Sequence, residues 1–303
     1  MPNASEPKPT ARDRWLLQAL YLSPLTTTQI LSFCRHWPAP FSHFKTLNRR
    51  LQKLCSPGTD WISRHTYART TVSTGPSYYR VAERGYELLT GDAFALPPGN
   101  YSFGEIPFGL EKHSFGLAQI IVRMIGSAPE CGLLVTDCRP DGAVVLDSGE
   151  RGRALIPDFT CCVACGTGRR FHYCFEFDRG TRRQRSVTAH KESLAWMIKR
   201  YEARHYAVEA AGLGFVVPFV TSVGPRRVRQ FMETVRSTVI EPRRKLFLAT
   251  TLDLLLRVQN PFRESIFLAQ DGSLVPLLPE YHCSDYRPAA YQPDLIADPT
   301  RLR

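Results

Sequence analysis

The stretch that decides the fold runs from residue 154 to residue 181, ALIPDFTCCVACGTGRRFHYCFEFDRGT. Two β-rich segments flank Cys165-Gly-Thr-Gly-Arg169, where two glycines bracket a threonine and predict the turn of a hairpin. With the turn at 165–169, opposed residues have numbers that sum to 334, so Ala164 faces Arg170, Cys162 faces His172, Thr160 faces Cys174 and Asp158 faces Glu176. Strand side chains alternate between faces. Asp178 therefore shares a face with Asp158 and Glu176, while Phe171, Tyr173, Phe175 and Phe177 line the other.

Like charges opposed on a sheet are destabilising unless something compensates them. A divalent cation is one compensation: Mg2+ or Mn2+ takes oxygen ligands and serves phosphodiester chemistry, which makes Asp158, Glu176 and Asp178 candidate metal ligands and catalytic residues. Arginines from the run RGTRRQR at 179–185 are the other, in an ordinary ion-pair network. Zinc is the weaker expectation. Cys162, Cys165, His172 and Cys174 are suitable donor types, but Cys165 falls in the turn, and a lone CxxC more often supplies small buried thiols.

Outward from the hairpin, periodicity predicts a helix over 108–126 and strands near 131–137 and 143–147 before it. After it come a helix over 186–206, a strand at 214–221, a helix at 225–238 and a strand at 245–250. This is an α/β (α+β) pattern, a mixed sheet flanked by helices, and it forms a domain over 108–279. Residues 280–303 repeat proline too often for regular structure, and the Gly- and Pro-containing residues 93–107 read as a linker.

Residues 10–92 read as a separate module of three helices, two strands and a closing helix, the order of a winged helix-turn-helix. Helix one spans 11–22 and stops before Pro24. Thr26 and Gln29 form a capping box for helix two, Pro38 and Pro40 end it, and Ser42 is the expected cap of helix three. In that third helix Phe44, Leu47, Leu51 and Leu54 mark a core-facing stripe. Lys45, Thr46, Arg49, Gln52 and Lys53 lie on the opposite side, with Arg50 at its edge. Such a face suits a DNA major groove, where Arg and Lys reach phosphate or guanine and Gln reads adenine. Residues 11–90 hold eleven Lys and Arg against four Asp and Glu, so cationic charge is concentrated here.

The whole chain points the same way. Its 303 residues carry 39 Lys and Arg against 28 Asp and Glu, a net charge of +11, which favours a polyanionic partner, double-stranded DNA above all. The first residues contain no apolar signal core, and no apolar run reaches 18 residues, so the expectation is a soluble cytoplasmic protein without a membrane partner. Nine cysteines, an odd and scattered set, argue against a disulfide framework.

Three segments, LIPDF at 155–159, FEFDRGT at 175–181 and YYRVAERGYELL at 78–89, together resemble the replication-relaxation family of plasmid and mobile-element proteins. That resemblance implies a winged helix followed by a PD-(D/E)xK endonuclease-like domain, with Asp158 and Glu176 holding a catalytic metal. It also implies other replication or mobilisation proteins as partners. Where such an enzyme places lysine two residues after the glutamate, this chain has Asp178. Lys191 on the following helix is the candidate for the vacant role, with Lys199 facing elsewhere. His113, with Glu111 nearby, is a candidate for phosphate binding or proton transfer, and Tyr201 is a weaker candidate for a covalent nucleophile. Two functions follow as expectations: a DNA-binding replication or mobilisation protein that nicks with a metal, or a catalytically silent DNA-binding accessory factor or regulator. A third is a restriction-like or structure-specific nuclease.

Overall fold

The computed structural model describes residues 8–67, 75–92, 97, 101–146, 154–166, 168–182, 193–209, 214–241 and 245–278. It is a mixed α/β chain in two units, divided after Gly126. Among the described residues no helix is long and apolar enough to cross a membrane.

The first unit opens with α1 (Ala11–Leu22), which starts at a capping box between Thr10 and Asp13 and stops at Ser23, just before Pro24. The two-residue strand β1 (Leu25–Thr26) leads into α2 (Thr27–Phe33). The Thr26 and Gln29 capping box forms as expected: Gln29 N–H donates to Thr26 Oγ1 at 3.3 Å and Thr26 N–H donates to Gln29 Oε1 at 2.9 Å. A short turn of 3-10 helix, Cys34–His36, ends this segment before Pro38.

Helix α3 (Phe44–Leu54) departs from expectation at its start. His43 occupies the cap position and no side chain caps the helix, so Ser42 does not. Leu47, Leu51 and Leu54 are buried, but Phe44 is 50% exposed. Phe44 is the first helical residue, and a stripe position at a helix end has neighbours on one side only.

Strands β2 (Ile62–Thr66) and β3 (Ser77–Val81) pair antiparallel from Ile62 opposite Val81 to Thr66 opposite Ser77. β3 also pairs with β1, giving the order β1-β3-β2. Strand β1 leaves no periodic signal, because two residues are too few to show one. Helix α4 (Glu83–Thr90) follows, with Gly91 in the left-handed region at φ 69° closing it. Its Gly85 is required by contact: a Cβ there would lie 2.0 Å from the Trp61 carbonyl oxygen. Helix α5 (Glu111–Ser127) groups with this unit up to Gly126, with Phe115 edge-on to Tyr67 at 5.6 Å, whereas the sequence placed it at the head of the second domain.

The second unit is built on a seven-stranded mixed sheet in the order β10-β9-β8-β7-β6-β5-β4. Strands β4 (Leu134–Arg139), β5 (Phe159–Ala164) and β6 (Arg170–Asp178) are antiparallel neighbours. The register of β5 with β6 runs from Phe159 opposite Phe175 to Ala164 opposite Arg170, the expected sum of 334. The turn closes with Cys165 N–H donating to the Arg169 carbonyl at 3.0 Å. The segment expected as a strand over 143–147 forms no strand among its described residues; Leu146 N–H donates to the Leu155 carbonyl at 2.9 Å.

From β6 the chain changes mode. Helix α6 (Leu194–Glu209) leads to β7 (Phe215–Thr221), parallel to β6, and α7 (Pro225–Thr238) leads to β8 (Phe247–Thr251), parallel to β7. Successive parallel strands joined by crossovers of one hand place both helices on one face of the sheet. Accordingly Leu194, Met197 and Ile198 of α6 share a single core with Val228, Phe231 and Val235 of α7 and with Val217, Phe219 and Phe247 of the strands. Phe219 and Phe231 stack at 3.9 Å. A short helix α8 (Leu252–Arg257) and the antiparallel strands β9 (Phe267–Ala269) and β10 (Leu274–Val275) complete the edge. Residues 280–303 lie outside the described residues.

Candidate functional site

The alternation of β6 sends Cys174, Glu176 and Asp178 to the face that α6 and α7 cover, so both carboxylates are buried. Each meets a specific partner there. Glu176 accepts from Arg182 Nη1 at 2.5 Å through Oε2 and from the Tyr201 hydroxyl at 2.7 Å through Oε1. Asp178 is held by Arg227 of α7 in a two-pronged pair, Nε to Oδ2 at 2.9 Å and Nη2 to Oδ1 at 3.1 Å. Its Oδ2 also accepts from Gly180 N–H at 2.9 Å and from the Thr221 hydroxyl at 3.3 Å. Arg227 Nη2 donates once more, to the Arg182 carbonyl at 2.5 Å, which ties the two ion pairs into one network.

Asp158 sits just ahead of β5. Its N–H donates to the Phe175 carbonyl at 3.1 Å, and its Oδ2 accepts the Phe177 N–H at 2.6 Å, so its side chain continues the ladder where the backbone pairing stops. Burial raises the Glu176 carboxyl to about 7; Arg182 pulls it back down and the Asp158 charge pushes it further up. The Glu176 charge in turn raises Arg182, and burial raises the Tyr201 hydroxyl.

A divalent cation needs carboxylate oxygens that converge on one point and are not already claimed by cations. Arg182 stands on Glu176, and Arg227 claims both oxygens of Asp178. An ion would have to displace a guanidinium from each. As the chain is folded, the positive charge at Glu176 and Asp178 is supplied by arginine.

Among the remaining candidates, Lys191 lies outside the described residues, and Lys199 is exposed on α6. Tyr201 is fully buried and spends its hydroxyl on Glu176. His113 is half-buried near the start of α5, two residues after Glu111. No three of Cys162, Cys165, His172 and Cys174 bring their ligand atoms together. The Cys162 sulfur, opposite His172, instead accepts from Arg170 Nε at 3.3 Å, and burial raises the Cys161 and Cys174 thiols.

Two partners escaped the sequence reading. Arg227 is 49 residues beyond Asp178, and the one available signal was its place on the buried side of α7 with Val228, Phe231 and Val235. Asp13 is the other. Its carboxylate is fully buried, completes the α1 capping box and binds Arg50 of α3, Arg50 Nε donating to Oδ1 at 2.6 Å. Burial raises Asp13, but its bonds to Arg50 and Thr10 outweigh that and hold it below the usual carboxylate range.

In the first unit Lys45, Arg49, Gln52 and Lys53 of α3 are exposed and Thr46 is half-buried. They lie opposite Leu47, Leu51 and Leu54, which fix the helix to its core. Arg50 belongs to the fold through Asp13, and Asn48 accepts from the Thr27 hydroxyl at 3.2 Å, so α3 is pinned to both preceding helices. The result is a rigid helix with a free cationic side.

Comparison with protein-family models, curated proteins and solved structures finds no match for this chain.

Proposed function

We propose that the protein binds double-stranded DNA through the first unit and serves plasmid or mobile-element replication or mobilisation as a DNA-binding accessory factor without metal-dependent cleavage. The exposed cationic face of α3 carries this reading. The chain order α1, β1, α2, α3, β2, β3 with the sheet order β1-β3-β2 supports a winged helix-turn-helix, in which α3 is the recognition helix and the β2–β3 hairpin is the wing. The resemblance of LIPDF, FEFDRGT and YYRVAERGYELL to the replication-relaxation family supplies the setting. It also supports an endonuclease-like ancestry for the second unit, whose acidic residues now anchor arginines.

Nicking is the second reading. It is favoured by one observation, a cavity of about 150 Å³ that Glu176 and Arg182 line together with Ser193 and Trp196.

The proposal is tested by duplex binding of the full chain at several salt concentrations. Arg49→Ala with Lys53→Ala removes up to two phosphate contacts and should lower the log-log salt slope by roughly 0.9 per contact. An unchanged slope removes α3 from the interface, and no binding by the unaltered chain removes the function.

A further inference from the structure

Five arginines gather where β6 and β7 end, and they divide into two groups. Arg182 and Arg227 turn inward and are consumed by Glu176 and Asp178. Arg179, Arg226 and Arg229 form no ion pair with a described residue; Arg226 and Arg229 are exposed and Arg179 is half-buried. The loops that carry them are joined. Ser222 N–H donates to the Asp178 carbonyl at 3.0 Å, and Val223 packs so closely on Gly180 that a Cβ there would lie 2.7 Å from Val223 Cγ2. Gly180, at φ 80°, is therefore required both by its backbone and by its neighbour. The seam joins the loop that carries Arg179 to the loop that leads into α7, on which Arg226 is the second residue and Arg229 lies one turn further along.

The carboxylates of this region do not offset these charges. Glu176 and Asp178 are buried and already paired, and the first turn of α7 contains no acidic residue. Glu233, four residues after Arg229 and exposed, forms no ion pair with it. An ordinary solvated helix face intersperses its signs, and an i, i+4 Arg and Glu would be drawn together. A cluster of one sign on a folded surface raises the local potential and attracts a polyanion.

We infer that the surface formed by Arg179, Arg226 and Arg229 is a second contact for the phosphate backbone of duplex DNA, separate from α3. This rests on the reading of the protein as a DNA-binding protein and adds where its second unit meets that DNA. The contact is sequence-independent, because exposed arginines at a loop seam reach phosphate oxygens and no groove-reading element accompanies them. The inward arginines have a positioning role: by binding Asp178, Arg227 holds the start of α7 against the end of β6, and so fixes the outward pair.

The test is duplex binding by the full chain carrying Arg179→Gln, Arg226→Gln and Arg229→Gln, over a range of salt, beside the unaltered chain and a triple Arg→Lys variant. The expected result is a log-log slope reduced by up to about 2.7 in the glutamine variant, from roughly 0.9 per contact, and retained in the lysine variant. The surface positions are replaced without touching the buried pairs, and an unchanged far-ultraviolet dichroism spectrum checks that the fold survives. If the unaltered chain binds DNA and the glutamine variant keeps its slope, the second contact is overturned while the α3 reading stands. If the unaltered chain binds no duplex, the DNA-binding reading itself falls.

Discussion

Helix α3 and strand β6 both carry charged functional candidates, and the fold treats them in opposite ways. On α3 the charges occupy one side of a helix whose other side is a leucine stripe, so Lys45, Arg49 and Lys53 remain in solvent. On β6 the charges alternate with aromatic residues, and both faces of the strand are covered, so Glu176 and Asp178 go inside. A helix at the surface can dedicate one side to water. A strand inside a sheet with helices on it has no such side, and its carboxylates survive only with partners. A density of charge thus signals a partner in both cases, but the secondary structure decides whether that partner is external or internal.

The largest effect is expected at the buried pair. Asp178→Ala leaves Arg227 buried without its counter-charge, and the loss should be about 3–5 kcal/mol in urea unfolding. If Asp178 served an external ligand instead, its replacement would cost much less and would lower ligand affinity. The next effect is on α3 itself. Arg50→Ala removes the partner of a fully buried Asp13 and should cost about 1–3 kcal/mol, although Arg50 lies one residue from Arg49. Chemical denaturation of Arg50→Ala beside Arg49→Ala therefore separates a residue built into the fold from an exposed one on the same helix.

Much of this was legible in the sequence, and the illegible part has a common cause. The hairpin register could be read because two glycines fixed the turn and alternation carried the rest. The Thr26–Gln29 box and the span of α7 followed from local signals. What could not be read was long-range: Asp13 to Arg50 and Asp178 to Arg227 join residues 37 and 49 positions apart. Three carboxylates on one face were visible, but whether a metal or an arginine answers them depends on which helix crosses that face. The acidic face was expected to gather a cation, and at Glu176 and Asp178 that cation is an arginine of the chain itself.

A smaller effect sharpens the account through pH. Burial lifts Glu176 to about 7 from an ordinary value of 4.5, so the folded protein keeps a proton that the unfolded chain has released. The folded state binds more protons in that window, and stability therefore falls as pH rises through it. Relative to Glu176→Gln, the unaltered protein should lose stability between about 4.5 and 7 and level off above. A difference that stays flat, or that grows with pH, would mean that Arg182 outweighs burial.

The smallest expected effect on stability is at the exposed face. Arg49→Ala with Lys53→Ala should leave the unfolding free energy within about 0.5 kcal/mol, even as duplex binding weakens. A larger loss, measured by the same denaturation series, would show that these two residues are built into the fold in the way Arg50 is.

Glu176 and Asp178 of β6 are bound by arginines, and a catalytic metal would have to displace them. The most direct test incubates supercoiled DNA with the full chain and Mg2+ or Mn2+, beside an Asp158→Ala and Glu176→Ala variant, and resolves binding and topology on gels. The expected result is that the unaltered protein retards the DNA and leaves it supercoiled. Nicked product formed by the unaltered chain and lost in the variant would contradict it.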